Sequence, residues 1–200
     1  TLHANDHATH KRYNKMGEVV GEIGPRNTFA AGHNFLAKRY TYNTKGQVTQ
    51  IESGRITSSV VPDATVAPVD WYSAFSGDIK EIKTYNSNGE LISEETTTNT
   101  SIKINKTLYG YDDYGRLTCQ NVVMDLSAGT TNCNDVGTSG NYNRISWFEY
   151  NDYDQPIWEM RAVYTSLAQY YKTYEYDAYN RLKSVKDANG NRTEYDYDTW

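Results

Sequence analysis

The chain has 200 residues, of which 38% are hydrophobic, and its formal net charge is −5. This acidic balance, without a dense run of Lys and Arg, excludes a nucleic-acid partner, and no apolar run approaches the ~20 residues that span a bilayer. Tyr supplies 19 residues whereas Phe and Trp supply 4 each. Such amphipathic rings suit half-exposed β-strands, so the composition predicts an all-β protein.

The first histidines of the chain are the earliest candidates for chemistry. His3, His7 and His10 have spacings that would place them on one side of a helix, where they could bind a transition metal; the alternative is a solvated terminus. His33 has no nucleophile in a recognisable motif. We therefore predict no catalytic residues, no metal site and no cofactor.

A turn motif recurs along the chain and dominates its organisation. It consists of Tyr, then Asp or Asn, two free positions, Gly or another residue that tolerates positive φ, a polar residue and an aliphatic residue. The copies begin at Tyr13, Tyr42, Tyr85, Tyr111, Tyr150 and Tyr176, with a partial copy at Tyr195.

Each copy predicts a β-hairpin corner. The Asp or Asn side chain can bond its own backbone, which initiates a type I turn, and Gly in the left-handed region completes a three-residue loop with a bulge. Asn180 and Asp154 replace Gly in two copies, and both residue types tolerate that region. The residues assigned to these turns are Tyr42, Asn43, Gly46, Tyr85, Asn86, Gly89, Tyr111, Asp112, Gly115, Tyr176, Asp177 and Asn180.

The spacing of the copies predicts three regions. Residues 1–37 hold a degenerate first repeat and an N-terminal segment, and residues 38–107 hold repeats with a loop insertion at about 57–74. Residues 108–200 hold regular repeats that are truncated at the C-terminus. The inserts, including a second one over 126–141, are predicted to be surface loops on a common edge. The hairpins should pair side by side into a curved strip without a central core or pocket.

Aromatic side chains outside the motif are the candidates for binding. Trp71, Tyr72, Trp147 and Trp158 could form a stacking platform for a sugar or a groove for a partner chain. The alternative is packing within the sheet wall, where cross-strand aromatic pairs contribute roughly 0.2–1 kcal/mol each. The second interpretation is favoured because such rings are what a single-layer sheet needs.

The two cysteines, Cys119 and Cys133, are 14 positions apart. A disulfide between them would close a loop that contributes about 3 kcal/mol in the chain-entropy view and would imply an oxidising compartment. Two unrelated thiols are the alternative.

Tyr111–Thr118 and Tyr174–Leu182 resemble the YD repeats of the Rhs (rearrangement hotspot) proteins. The resemblance spans most of the chain, is strongest from Leu108 onward and is weaker before Lys38. The resemblance implies an array of antiparallel hairpins that forms part of a spiral shell in a large secreted or surface-exposed bacterial protein. Its implied partners are the remainder of the shell and a C-terminal toxin or effector. The Asp-Pro-rich core motif of that family is absent from this sequence, so no cleavage residue can be assigned. The other hypothesis is an adhesion module that binds carbohydrate or protein through exposed Tyr and Trp.

Overall fold

A computed structural model describes residues 8–26, 34–57, 74–138 and 140–198. Over these ranges the chain has fifteen strands and no α-helix, and therefore no helix long enough to cross a membrane. The strands are β1 Ala8–Tyr13, β2 Val19–Arg26, β3 Asn34–Tyr42, β4 Val48–Thr57, β5 Phe75–Tyr85, β6 Leu91–Thr98, β7 Lys103–Tyr111, β8 Leu117–Val122, β9 Gly137–Thr138, β10 Asn141–Tyr142, β11 Arg144–Tyr150, β12 Pro156–Arg161, β13 Gln169–Tyr176, β14 Leu182–Asp187 and β15 Arg192–Glu194.

Thirteen strands belong to one antiparallel sheet whose spatial order follows the sequence, and β9 pairs with β10 separately. Each of the six complete copies of the motif connects two consecutive strands of this sheet. The predicted all-β array of consecutive antiparallel hairpins is therefore confirmed. Because connections alternate between the two ends of the strands in such a sheet, the six motif corners lie at the same end.

The chain divides into two compact units. The first comprises residues 1–85 and 94–104, and the second comprises residues 86–93 and 105–200. Each unit has its own small cluster of buried apolar side chains, in place of the predicted absence of any core.

In the first unit the buried cluster lies on one face of β2 to β5. Ile23 pairs with Ala37, and Ile56 pairs with both Phe35 and Phe75 across neighbouring strands. Cross-strand neighbours on one face pack directly, and Ile23 and Ile56 are almost completely buried. Burial of an Ile side chain of this kind stabilises the sheet by roughly 1.5–3 kcal/mol.

In the second unit the chain between β8 and β11 folds against the sheet. Cys119 in β8 and Cys133 in this insert form a disulfide. Both cysteines are buried in a cluster with Leu108, Ile145 and Val163. The insert was predicted to be a surface loop, but its Cys133 is buried against the sheet. The burial follows from the disulfide, which holds Cys133 next to Cys119 in β8.

Candidate functional site

In the described residues, seven corners that begin with Asp or Asn share one backbone geometry. In each corner the N–H of the first residue donates to the carbonyl of the fifth at 2.9–3.0 Å, and the N–H of the fourth donates to the carbonyl of the first at 3.0–3.2 Å. The fourth residue has φ between 60° and 94°. The first residues are Asn14, Asn43, Asn86, Asp112, Asn151, Asp177 and Asp187.

The seventh corner, which begins at Asp187, was not recognised in the sequence as a turn. It has no tyrosine before it and connects β14 to β15, at the opposite end of the strands from the other six. Its Asp, followed three positions later by Gly190, is the signal that could have identified it. The corner that begins at Thr98 has the same backbone bonds, and there the Thr98 hydroxyl accepts the N–H of Ile102 while Ser101 has φ of 67°. The corner geometry therefore depends on a short side chain with an acceptor oxygen and on the residue with positive φ, and not on the tyrosine.

The tyrosine of the motif, which in the partial copy is its second tyrosine, Tyr197, instead links one hairpin to the hairpin before it. Its hydroxyl donates to the backbone carbonyl of the aliphatic residue, or of Pro156, that follows the preceding corner, at 2.7–3.1 Å. The six pairs are Tyr42 with Val19, Tyr85 with Val48, Tyr111 with Leu91, Tyr150 with Leu117, Tyr176 with Pro156, and Tyr197 with Leu182. We call these six bonds the tyrosine ladder.

The environment of four ladder tyrosines favours the protonated form of their hydroxyl groups. Burial raises the pKa of Tyr42, Tyr111, Tyr150 and Tyr176, and in Tyr42 and Tyr111 a nearby glutamate adds to the increase. Tyr40 lies in the strand beside the ladder, where burial and then the charge of Glu22 raise its pKa to about 12. A protonated hydroxyl is required because only it can donate to a carbonyl oxygen.

The corner side chain and the residue four positions later form a matched pair. The Oδ1 atom accepts the backbone N–H of that later residue at 2.8–3.1 Å in all seven corners. The second terminal atom is a donor in Asn and an acceptor in Asp. Each Asn corner accordingly donates to Glu or Gln, as Asn14 does to Glu18, and each Asp corner accepts from Arg or Asn, as Asp177 does from Arg181.

This matching also determines the electrostatics of the Asp corners. The backbone N–H of Arg181 is the largest contribution that lowers the pKa of Asp177, and the Arg181 side chain lowers it further, whereas burial opposes both. The carboxylate is therefore ionised over the whole neutral range. It acts as a structural acceptor and is not poised to exchange a proton.

The fifth residue of a corner also contacts the next corner along the sheet. Arg116 donates to the carbonyl of Asn151 and to the carboxylate of Asp154, both at 2.9 Å. Gln155 donates to the carbonyl of Asn180 at 2.6 Å. Successive hairpins of the second unit are consequently linked by two kinds of hydrogen bond, those between corners and those of the tyrosine ladder.

The predicted ligand-binding aromatics are engaged with other rings where they are described. Trp147 meets Tyr164 edge to face with ring centroids 5.1 Å apart, and Trp158 meets Tyr170 in the same way at 5.7 Å. Trp71 and Tyr72 lie outside the described residues. The four-residue platform therefore stays a prediction, and only the ring contacts of Trp147 and Trp158 are established.

The most exposed rings belong to a set that the sequence interpretation did not select. Tyr114, Tyr153 and Tyr179 each occupy the third position of a corner and are 82%, 67% and 80% exposed. The position itself was the available signal, because the side chain at a corner tip points away from both strands.

The histidine site remains a hypothesis. His10 lies in β1, whereas His3, His7 and His33 are outside the described residues. Over the part of the chain that the structure describes, no group of three or more His, Cys, Asp or Glu residues is arranged to hold a metal ion.

No family model and no curated protein matches this chain. A solved Tc holotoxin pore of Photorhabdus luminescens is similar over 94% of this chain and 9% of its own, at 13% identity and a TM-score of 0.46. A TcdB2–TccC3–TEV structure is similar over 90% of this chain and 10% of its own, at 14% identity and a TM-score of 0.35. This chain thus spans about a tenth of those chains. At such TM-scores the similarity supports no conclusion about activity or partners.

Proposed function

We propose that this chain is a wall segment of a larger β-shell that encloses or presents a C-terminal toxin or effector. The observation that carries the proposal is the tyrosine ladder, in which each hairpin donates to a carbonyl of the hairpin before it. A repeat of this kind is stabilised chiefly by its neighbours, so it can be extended without a new core. The proposed role is structural and involves no reaction.

Two further features support this role. The repeated Tyr-Asp corners are those of the YD repeats that the sequence resembles, and those repeats form shells in secreted or surface bacterial proteins. The buried disulfide between Cys119 and Cys133 is typical of proteins that fold in an oxidising compartment. We therefore propose that the protein is secreted or displayed on the cell surface.

Limited proteolysis of the complete protein that contains this chain tests the proposal. We expect a segment outside the sheet to be protected from protease while the wall is intact. Replacing Tyr111, Tyr150 and Tyr176 by Phe removes three ladder bonds without removing the rings. This variant should expose the segment at lower denaturant concentration than the wild type does.

The matched control replaces the exposed tyrosines 114, 153 and 179 by Phe, since their hydroxyl groups make no hydrogen bond to any residue that the structure describes. It should protect the segment as the wild type does. If no segment is protected in the complete protein, or if both triple variants behave alike, the shell proposal is wrong.

The second candidate function is an adhesion module that binds carbohydrate or protein. The specific observation in its favour is the exposure of Tyr114, Tyr153 and Tyr179 at successive corners of the second unit. Aromatic rings at that position can stack on a sugar face. A glycan array tests adhesion when it is probed with the wild type and with a variant that carries Ser at the three positions. Equal binding by the two proteins, or binding by neither, would count against adhesion.

A further inference from the structure

The second unit contains a cavity of about 840 Å³ that the shell role does not use. It lies over β8, β11 and β12 and is bounded by the chain that follows β12. Its volume falls within the roughly 300–1,000 Å³ of small-molecule sites. Gln120, Ser146 and Arg161 line it and are paired across adjacent strands, so their side chains project from the same face of the sheet.

The cavity has one cationic group that no carboxylate neutralises. Arg161 is paired with Glu159 at 2.7 Å, and its guanidinium stacks 3.3 Å from the ring centroid of Tyr171. Arg144 also lines the cavity, and its guanidinium has no ion-pair partner among the described residues. The charges of Arg161 and Glu159 cancel, so the cavity keeps a net positive charge and favours an anion.

Two neutral hydrogen-bonding groups face the same side of the sheet as Arg144. Gln120 pairs directly with Ser146, and Ser146 is two positions from Arg144 along β11. Directly paired Cβ atoms are about 4.5–5.5 Å apart. Within the described ranges neither the Gln120 amide nor the Ser146 hydroxyl has a side-chain hydrogen-bond partner. Amide N–H, hydroxyl and guanidinium groups together are the donors that a carboxylate needs.

Apolar side chains form part of the remaining wall. Phe148 and Val122 flank the donors on the strands, and Tyr164 and Leu167 approach from the chain after β12. Leu167 is 74% exposed although it lines this cavity. An apolar group attached to a carboxylate would cover these side chains and remove them from water.

The backbone beside the cavity is held in an unfavourable conformation. Ala162 and Tyr164 both line the cavity, and they have φ of 54° and 66°. Left-handed backbone is uncommon for residues other than Gly, Asn and Asp, and it persists where the surrounding structure imposes it, often at ligand sites. Burial of Val163 between them, and the bond from its N–H to the carbonyl of Ile145, impose it here.

We propose that this cavity binds a carboxylate that carries an aromatic or acyl group. The carboxylate lies against Arg144, Gln120 and Ser146, and the apolar part lies against Phe148 and Leu167. The same chemistry can come from a free organic acid or from an acidic side chain flanked by apolar residues in a bound polypeptide.

Calorimetric titration of the purified chain with naphthylacetate tests the site, and naphthylacetamide is the neutral control. We expect the acid to bind at least about tenfold more tightly than the amide, because only the acid makes a charge-assisted hydrogen bond. A blocked Phe-Asp-Leu peptide forms the second arm. Binding of the peptide alone assigns the site to a polypeptide, and binding of naphthylacetate alone assigns it to a free acid; either result supports the carboxylate site.

Arg144→Gln should abolish the preference for the acid over the amide. Arg55→Gln is the matched control, because Arg55 is an exposed arginine in β4 of the first unit. Both variants should keep the circular dichroism of the wild type, so loss of binding is not loss of fold. The proposal is overturned if no probe binds, if naphthylacetate and naphthylacetamide both bind with equal affinity, or if Arg144→Gln binds whichever carboxylate probe the wild type binds as tightly as Arg55→Gln does.

Discussion

Removing hydroxyl groups from the tyrosine ladder should destabilise the second unit while leaving its packing intact. In Tyr150→Phe the bond to the Leu117 carbonyl, 3.1 Å long, is lost, whereas the ring that lies 5.2 Å from the Arg116 guanidinium remains. The carbonyl of Leu117 then loses its side-chain hydrogen-bond donor in a partly buried position. We expect the free energy of unfolding to fall.

The magnitude follows from the net contribution of a hydrogen bond, which is about 0.5–1.5 kcal/mol. Tyr111 and Tyr176 make equivalent bonds, and the bond of Tyr176 is the more exposed of the two, so its loss belongs at the lower end. The motif tyrosines of successive hairpins are two strands apart, roughly 9–10 Å. At that separation the effects add, and the triple Phe variant should lose roughly 1.5–4.5 kcal/mol.

Urea unfolding of the oxidised chain, followed by far-ultraviolet circular dichroism, measures this loss. The control is the triple Phe variant at the exposed positions 114, 153 and 179, which should stay within about 0.5 kcal/mol of the wild type. Equal m-values in the three proteins would show that the surface exposed on unfolding is unchanged. The reasoning about the ladder is refuted if the two triple variants unfold at the same urea concentration.

Three other properties can be predicted. Stability should fall as pH rises above about 10, the ordinary pKa of tyrosine. Burial raises the pKa of ladder tyrosines such as Tyr42, so the folded state holds protons that the unfolded chain has released. Alkaline titration, followed by tyrosinate absorbance and circular dichroism, tests this. Asp177→Asn should lower the melting temperature, because its amide would face the Arg181 donor. Adding Arg181→Gln should restore the melting temperature. An unchanged melting temperature in Asp177→Asn, or no recovery in the double variant, would contradict the matching rule. Replacing Cys119 and Cys133 by Ala should cost about 3 kcal/mol, and an unchanged urea midpoint would contradict this.

The hairpins could be predicted from the sequence because each corner is determined locally. Asn43 and Gly46 lie within four residues of each other, and both the side-chain bond and the positive φ follow from the residue types alone. The hydroxyl bond of Tyr42 could not be predicted in this way. Its acceptor, Val19, is 23 positions away, and the bond depends on the register between two hairpins.

The buried insert could not be predicted for a related reason. Its composition of small and polar residues is typical of a surface loop, and two cysteines alone left the disulfide open. Only the sheet brings Leu108 and Ile145 to the place where Cys133 is buried. The cavity was missed because its donors, Gln120 and Arg144, are far apart in sequence and become neighbours only through the pairing of β8 with β11.

The matched corner pairs explain why the polar position of the motif varies without disrupting the fold. Glu18, Gln47 and Arg116 have different charges, yet each complements the corner residue four positions before it. The corner Oδ1 is always committed to the backbone, so only the second atom of that side chain selects its partner. The two positions therefore have to change together, and the backbone geometry stays the same when they do. Charge along this end of the sheet can consequently differ from one corner to the next, while the ladder that joins the hairpins is preserved.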